Sequence, residues 1–222
     1  SSDLNDVQGI MPRNDMNRHT FNLRLTNQIS KKLSTDAKVT YILQDIKSRY
    51  ANGESLSAIA DLYLLPRNVA LKDIQNYQRI NNVGLAEPTP YPTSNAALYE
   101  NPYWIVHNTE NNELRDRIMG FVSMKYDITD WLHVTGRANL DKINDRQESL
   151  AADGSLATVS VSGGNYGRTN INVSQTWLDL MLDGSNKLGS DLKLDYRIGT
   201  IYQNNLWQSQ SSGSARFLRI SP

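Results

Sequence analysis

From Ile118 to Leu140 the chain alternates apolar and polar residues on both sides of a short break. Before the break the apolar set is Ile118, Gly120, Val122, Met124 and Tyr126; after it, Leu132, Val134, Gly136, Ala138 and Leu140. Arg117, Ser123 and Lys125 fill alternate positions of the first arm, and His133, Thr135, Arg137, Asn139 and Asp141 those of the second. Side chains two apart share a strand face, so this is a β-hairpin with one greasy face and one charged face. A wet face this charged fits a sheet with lipid outside and a polar lumen inside.

The same pattern predicts two more hairpins, one over about 17–48 and one over about 169–206, flanking the central one at about 112–145. In the first, Phe21, Leu23 and Leu25 alternate with Asn22, Arg24 and Thr26, and Ala37, Val39, Tyr41 and Leu43 with Lys38, Thr40 and Gln44. In the third, Leu178, Leu180 and Leu182 face Leu192, Leu194, Tyr196 and Ile198, with Trp177, Asp179, Lys193, Asp195 and Arg197 opposite. The connections alternate in length: Gln28–Thr35, Ile128–Asp130 and Gly184–Ser190 are short, Arg49–Asn111 and Arg146–Arg168 long. Outer-membrane barrels show this rhythm, with short periplasmic turns and long extracellular loops. The fold expected is therefore all-β: an antiparallel up-and-down meander forming part of a large transmembrane β-barrel.

The long segment 49–111 is expected to be an extracellular loop containing short helices. Leu56, Ile59, Ala60 and Leu64 sit near helical spacing after Ser55, a candidate N-cap, and Val69, Ala70, Ile74 and Tyr77 form a second narrow stripe. Pro88, Pro90 and Pro92 predict irregular chain, and Asn101–Pro102–Tyr103–Trp104 an anchored turn. Gly163–Gly164 and the Ser-rich 209–214 stretch read as loop tips. A three-residue turn at Ile128–Asp130 sets a central register in which Val122 lies opposite Gly136 and Met124 opposite Val134. It also brings Phe121 beside Arg137, Arg117 beside Asp141 and Asp116 near Lys142. Such neighbours contribute about 0.2–1 kcal/mol each.

Composition narrows the functions. The 222 residues carry 23 Lys plus Arg against 23 Asp plus Glu, so no basic excess points to nucleic acid. Cysteine is absent, which removes disulfides, thiol catalysis and thiolate metal sites. No apolar run approaches the roughly 20 residues of a spanning helix, which leaves barrel strands untouched. The start, SSDLNDVQGI, has neither a basic head nor an apolar core, so an outer-membrane reading expects the chain to be an internal piece of a longer protein.

Three runs carry a resemblance. NRHTFNLRL at 17–25, NPYW at 101–104 followed by RDRIMGFVSMKYDITDWLHVTGR at 115–137, and DLMLDGSNKLGSDLKLDYRIGTIY at 179–202 resemble the barrel of SusC/RagA-like TonB-linked outer-membrane transporters. That resemblance implies a barrel of about 22 strands around a plug. It implies a SusD-like surface lipoprotein as lid, TonB contact through a segment this chain has no candidate for, and import of oligosaccharides or peptides. Six strands cannot close a barrel, which takes about eight, so the expectation is a fragment of the wall.

No catalytic pattern is present. His19, His107 and His133 have no ligand spacing, and phosphate loops, G-x-S-x-G and H-E-x-x-H are missing. The expectation is no enzyme activity, no cofactor and no metal. Tyr91, Tyr99, Tyr103, Trp104 and Trp207 lie in loops or at loop ends, where they either stack on substrate, touch the lid or anchor the loop. Arg115, Arg117, His133, Arg137, Asp141, Asp179, Asp195 and Arg197 fall on the lumen side, as plug contacts or as a hydrated charge ladder. Tyr126 and Trp131 flank the tight turn as membrane-interface aromatics. The competing reading is a soluble β-sandwich, a carbohydrate-binding or adhesin module, which would bury the Leu178–Leu182 and Leu192–Ile198 faces against a second sheet.

Overall fold

A computed structural model describes residues 1–49, 57–92, 99–155, 163–188 and 191–215. Seven strands form one antiparallel sheet: β1 (Ser2–Gln8), β2 (Asp15–Gln28), β3 (Leu33–Lys47), β6 (Thr109–Asp127), β7 (Leu132–Ala151), β8 (Asn165–Lys187) and β9 (Lys193–Ala215), neighbours in that order. Between β3 and β6 lie helices α1 (Ala58–Tyr63), α2 (Leu71–Gln75) and α3 (Pro102–Asn108), and the two-stranded pair β4 (Gln78–Ile80) and β5 (Ala86–Pro88). The all-β expectation holds. Among the described residues the sheet is open rather than closed, and no second sheet packs on it.

Every side chain on one face is fixed by the pairing. The row Leu25–Ala37–Val122–Ala138–Leu178–Tyr202 crosses six strands, and the row Leu33–Tyr126–Val134–Leu182–Ile198 crosses five. These apolar residues are not a core: Val122 and Leu178 are each 47% exposed. On β7 the band runs from Leu132 to Leu140, eight residue steps (140 − 132). That is about 27 Å along a strand, or about 21 Å of depth for a strand tilted by about 40°. Beyond it the same face turns polar, with Asp116, Asn144, Asn172 and Gln208 in one row.

The central register differs from expectation by two residues. Val122 pairs with Ala138, Met124 with Gly136 and Tyr126 with Val134. The turn is wider because Ile128 N and Thr129 N both donate to Leu132 O, so Asp127 pairs with His133. A shift of two keeps each side chain on its face, which is why the alternation could not exclude it; a shift of one would have been visible. Phe121 therefore faces Asn139 and Asp116 faces Asn144, and Asp116 accepts instead from Tyr41 Oη at 2.6 Å. Gly120 is needed where it stands: a Cβ there would lie 2.5 Å from the Lys38 carbonyl oxygen across the β3–β6 pair.

Other expectations are corrected at element ends. The sheet has an additional strand, β1, turned back on β2 through residues 9–14. The third hairpin is longer than 169–206 at both ends, and 209–214 is strand rather than loop tip, because pairing with β8 continues to Ala215. The NPYW motif is not a turn but the start of α3. Asn101 Oδ1 caps it by accepting from Tyr103 N at 3.0 Å, and Pro102 has no N–H to waste in the first turn. Pro88 ends a strand rather than excluding one. The cap of α1 is Ser57, whose hydroxyl accepts from Ala60 N; Ser55 lies outside the described residues.

Apart from Ile42 on β3, the buried apolar side chains of the described residues gather at one end. Ala58, Ile74, Tyr91, Trp104, Ile105, Val106, Ala151 and Ala152 pack where the long connections meet the strand ends. Met11, from the β1–β2 turn, packs on the same cluster, and Arg13 donates to the His107 carbonyl at the α3 C-terminus and pairs with Glu110. At the opposite end the tight turns bond to one another, Asp127 N to Lys32 O at 2.8 Å and Ser185 N to Trp131 O at 2.9 Å.

Candidate functional site

The charged face of the sheet is built from cross-strand pairs. Arg137 lies directly opposite Asp179 and bonds it at 3.1 Å; Arg197 lies opposite Asp183 and is bonded to it; His133 Nδ1 sits 2.6 Å from Asp127 Oδ1. Arg117, though opposite Ile143, reaches diagonally to Asp141 in a two-pronged contact of 2.9 and 2.5 Å. Asp195 accepts from Lys193 at 3.0 Å on its own strand. The lumen-side residues named from the sequence are thus all on one face, and each is held by a neighbour in the same sheet as a ladder. Exposed pairs of this kind contribute at most about 1 kcal/mol each. They set register and leave a hydrated, charge-balanced wall.

Aromatics mark the tight-turn end of the apolar band. Tyr126 stands on the greasy face and Trp131 in the adjoining turn, both more than 40% exposed. Tyr196 covers Gly184, where a Cβ would strike its ring. Amphipathic rings at such a level suit a membrane interface.

The five candidate contact aromatics separate. Trp104 is 1% exposed, and its indole Nε1 donates to Ser155 Oγ at 2.9 Å. Tyr91 is buried with its hydroxyl donating to the Asp61 carbonyl. Neither ring is presented to a ligand; both anchor the loop. Tyr99 and Tyr103 are half-buried. Trp207 alone stands open, at 65% exposure, on the charged face of β9 opposite Val173.

Asp61 lies wholly inside the loop. One carboxylate oxygen accepts from Glu100 N at 2.9 Å and the other has no partner, so burial pushes the group up to about 6. Burial and the nearby Asp61 charge push the Tyr91 phenol up to about 12. The folded loop keeps the Asp61 proton to about pH 6, whereas the unfolded chain releases it near 3.8. The loop is therefore most stable below about pH 4, weakens as pH rises to about 6, and stays weakened above. The gap of two units is about 3 kcal/mol. Hydrogen exchange at the Ile105 amide, corrected for intrinsic rate, is expected to show protection falling between pH 4 and 6.5, and Asp61→Asn is expected to abolish the fall. Equal protection at both pH values rules this out.

Sequence reading missed a groove of about 490 Å³ at the long-loop end of the sheet. Two complete register rows line it: Glu113–Gln147–Thr169–Ser211 and Asn111–Ser149–Gly167–Gly213. They belong to the same face as Arg117 and Trp207. Glu113 is held by Arg49 at 2.8 Å and by Arg115 at 2.9 Å, and Arg115 also bonds Asp145 at 2.6 Å. Thr169 and Ser211 share a hydroxyl–hydroxyl hydrogen bond of 3.0 Å. The groove was invisible in the sequence because both faces of β9 are polar there, so alternation carries no signal. The facing pair Gly167 and Gly213, 46 residues apart (213 − 167), had no local mark.

The histidines are scattered, with His107 stacked on Tyr77 at 4.9 Å, and among the described residues no group of acidic or histidine side chains could hold a metal. No described helix is long and apolar enough to cross a membrane, which does not bear on strands. No known protein family matches the chain, and no characterised protein matches it either.

Proposed function

We propose that this chain forms part of the wall of a TonB-dependent outer-membrane importer of the SusC/RagA type, carrying oligosaccharides or peptides. One observation carries the reading. A largely apolar band about 21 Å deep crosses the sheet uncovered, with a charge ladder behind it and tight turns joining β2 to β3 and β6 to β7 at one end. Lipid is the medium that accepts such a band, and its expected depth is about 25 Å. In water the same surface would be an apolar patch far above what a monomer exposes. The loop unit of α1–α3 then stands at the extracellular mouth, where a SusD-like lipoprotein lid would sit. The plug and the TonB contact lie in parts the resemblance implies. The wall itself performs no chemistry. The soluble-sandwich alternative requires a second sheet over Val134, Leu180 and Leu194, and among the described residues there is none.

The absence of cysteine makes the test clean. Arg197→Cys, exposed on the charged face, is expected to react with a water-soluble maleimide in intact membranes. Leu178→Cys is expected to react only with a bilayer-partitioning maleimide. In a sandwich Leu178→Cys would resist both reagents, and that result would refute the wall assignment.

A further inference from the structure

The turn that joins β1 to β2 runs against the preferences of its own backbone. Residues 9–14 close through Gly9 N to Asn14 O at 2.7 Å. Inside them Met11–Pro12–Arg13–Asn14 make a tighter turn, with Asn14 N bonded to Met11 O at 3.3 Å. Proline is ordinary at the second place of such a turn. The third place has φ 65°, a conformation that favours glycine or asparagine, and it holds Arg13. Among the described residues the other non-glycine residue with positive φ is Ser48, at 47°. Both lie at one junction: Asn14 Nδ2 donates to Lys47 O at 3.1 Å and to Ser48 O at 3.2 Å. Backbone strain of this kind persists only where surrounding contacts impose it, and it gathers at clamps and switches.

The imposing contacts come from the loop unit. Arg13 donates to the carbonyls of Val106 and His107, 3.4 and 3.0 Å away in the last turn of α3, and pairs with Glu110. A cation there also meets the negative end of the helix. Met11 packs on the cluster of Ala58, Ile105 and Val106. Gly9 lets the turn close this tightly, since a Cβ there would strike the Asn14 side chain. β1 itself is an edge strand, exposed at all seven residues and paired with β2 alone among the described residues. The hairpin β1–β2 therefore meets the loop unit through this turn.

We propose that the 9–14 turn is a strained latch: Met11 and Arg13 hold the edge hairpin β1–β2 against α3, and loss of their contacts lets the turn relax and let go. Arginine stands where the backbone favours glycine because its side chain closes the latch. The latch's role, though not its mechanics, rests on the importer reading. There it holds the α1–α3 unit at the mouth of the wall, and its release frees that unit on the β1–β2 side.

The test uses the intact membrane protein carrying this chain, in nanodiscs. Hydrogen exchange of the Gly9 amide reports opening of the turn even when the open form is rare. Arg13→Ala removes the side-chain contacts and keeps the strain, so exchange is expected to rise about tenfold or more. Arg13→Gly removes the same contacts and the strain as well, so its rise is expected to be about fivefold smaller. Simple loss of a surface ion pair would raise both equally. Met11→Ala leaves position 13 untouched and is expected to raise exchange about tenfold; it decides the matter if the Arg13 variants do not fold. Spin labels at Ile10→Cys and Tyr63→Cys, both exposed sites, are expected to report one narrow distance. A longer component is expected when Met11→Ala and Arg13→Ala are combined. Unchanged exchange in Arg13→Ala or Met11→Ala, equal exchange in the alanine and glycine variants, or an unaltered label distance in the combined variant would overturn the latch. The maleimide result stands apart: it can remove the wall assignment while the latch persists, or support it while the latch fails.

Discussion

Leu178→Arg is expected to cost about 2–4 kcal/mol of stability in a bilayer, and Leu206→Arg about 0–1 kcal/mol. Both residues stand on the greasy face of the same hairpin. Leu178 belongs to the middle of the band, in the row with Val122 and Ala138, and Leu206 to its outer edge, in the row with Lys142 and Tyr41. On the proposed wall reading, a guanidinium at the middle would have no water and no carboxylate within the row, and one at the edge would reach the headgroup level, where Asp116 and Asn144 begin the polar zone. Folding into lipid vesicles, followed by denaturant titration, measures both. Equal costs at the two sites would mean that depth in a membrane is not what governs this face.

Trp104→Ala is expected to destabilise the loop unit by about 3–5 kcal/mol while leaving the strand ladder intact. The indole is the largest fully buried side chain among the described residues, and its loss opens a cavity in the loop unit and strands the buried Ser155 hydroxyl. Trp104→Phe keeps most of the packing and loses one hydrogen bond, so its expected cost is only about 1–2 kcal/mol. The loop unit has little other core, so the alanine variant is expected to be cut by protease between 57 and 108 under conditions that leave β6–β9 whole. A loop equally resistant in both variants would show that Trp104 is not its anchor. The sequence offered the residue as a substrate contact, a lid contact or a loop anchor within a supposed NPYW turn, and the structure makes it the anchor. The motif starts a helix rather than a turn, and the cap of that helix, Asn101, also donates to Ile74 O at 2.8 Å across the loop.

How far the sequence reaches differs between face and row. Alternation in Ile118–Leu140 assigned every side chain of β6 and β7 to its face, and Arg137 with Asp179 arrived on the predicted wet side. Their pairing as direct neighbours depended on β8 sliding against β7 to a particular row. The groove belongs wholly to this second kind of information. Asn111, Ser149, Gly167 and Gly213 meet only because three strand pairings each settle on one of several rows that the pattern treats alike.

The sequence by itself determined an antiparallel all-β chain, which residues face the greasy side, and where the long and short connections fall, because a period of two is a local property of each strand. Tertiary structure alone decided the rows, the extra strand β1, the burial of Trp104 and Tyr91, and the groove. These depend on hydrogen bonds and contacts between segments far apart in the chain, and a register shift of two changes every such neighbour while leaving the local pattern untouched.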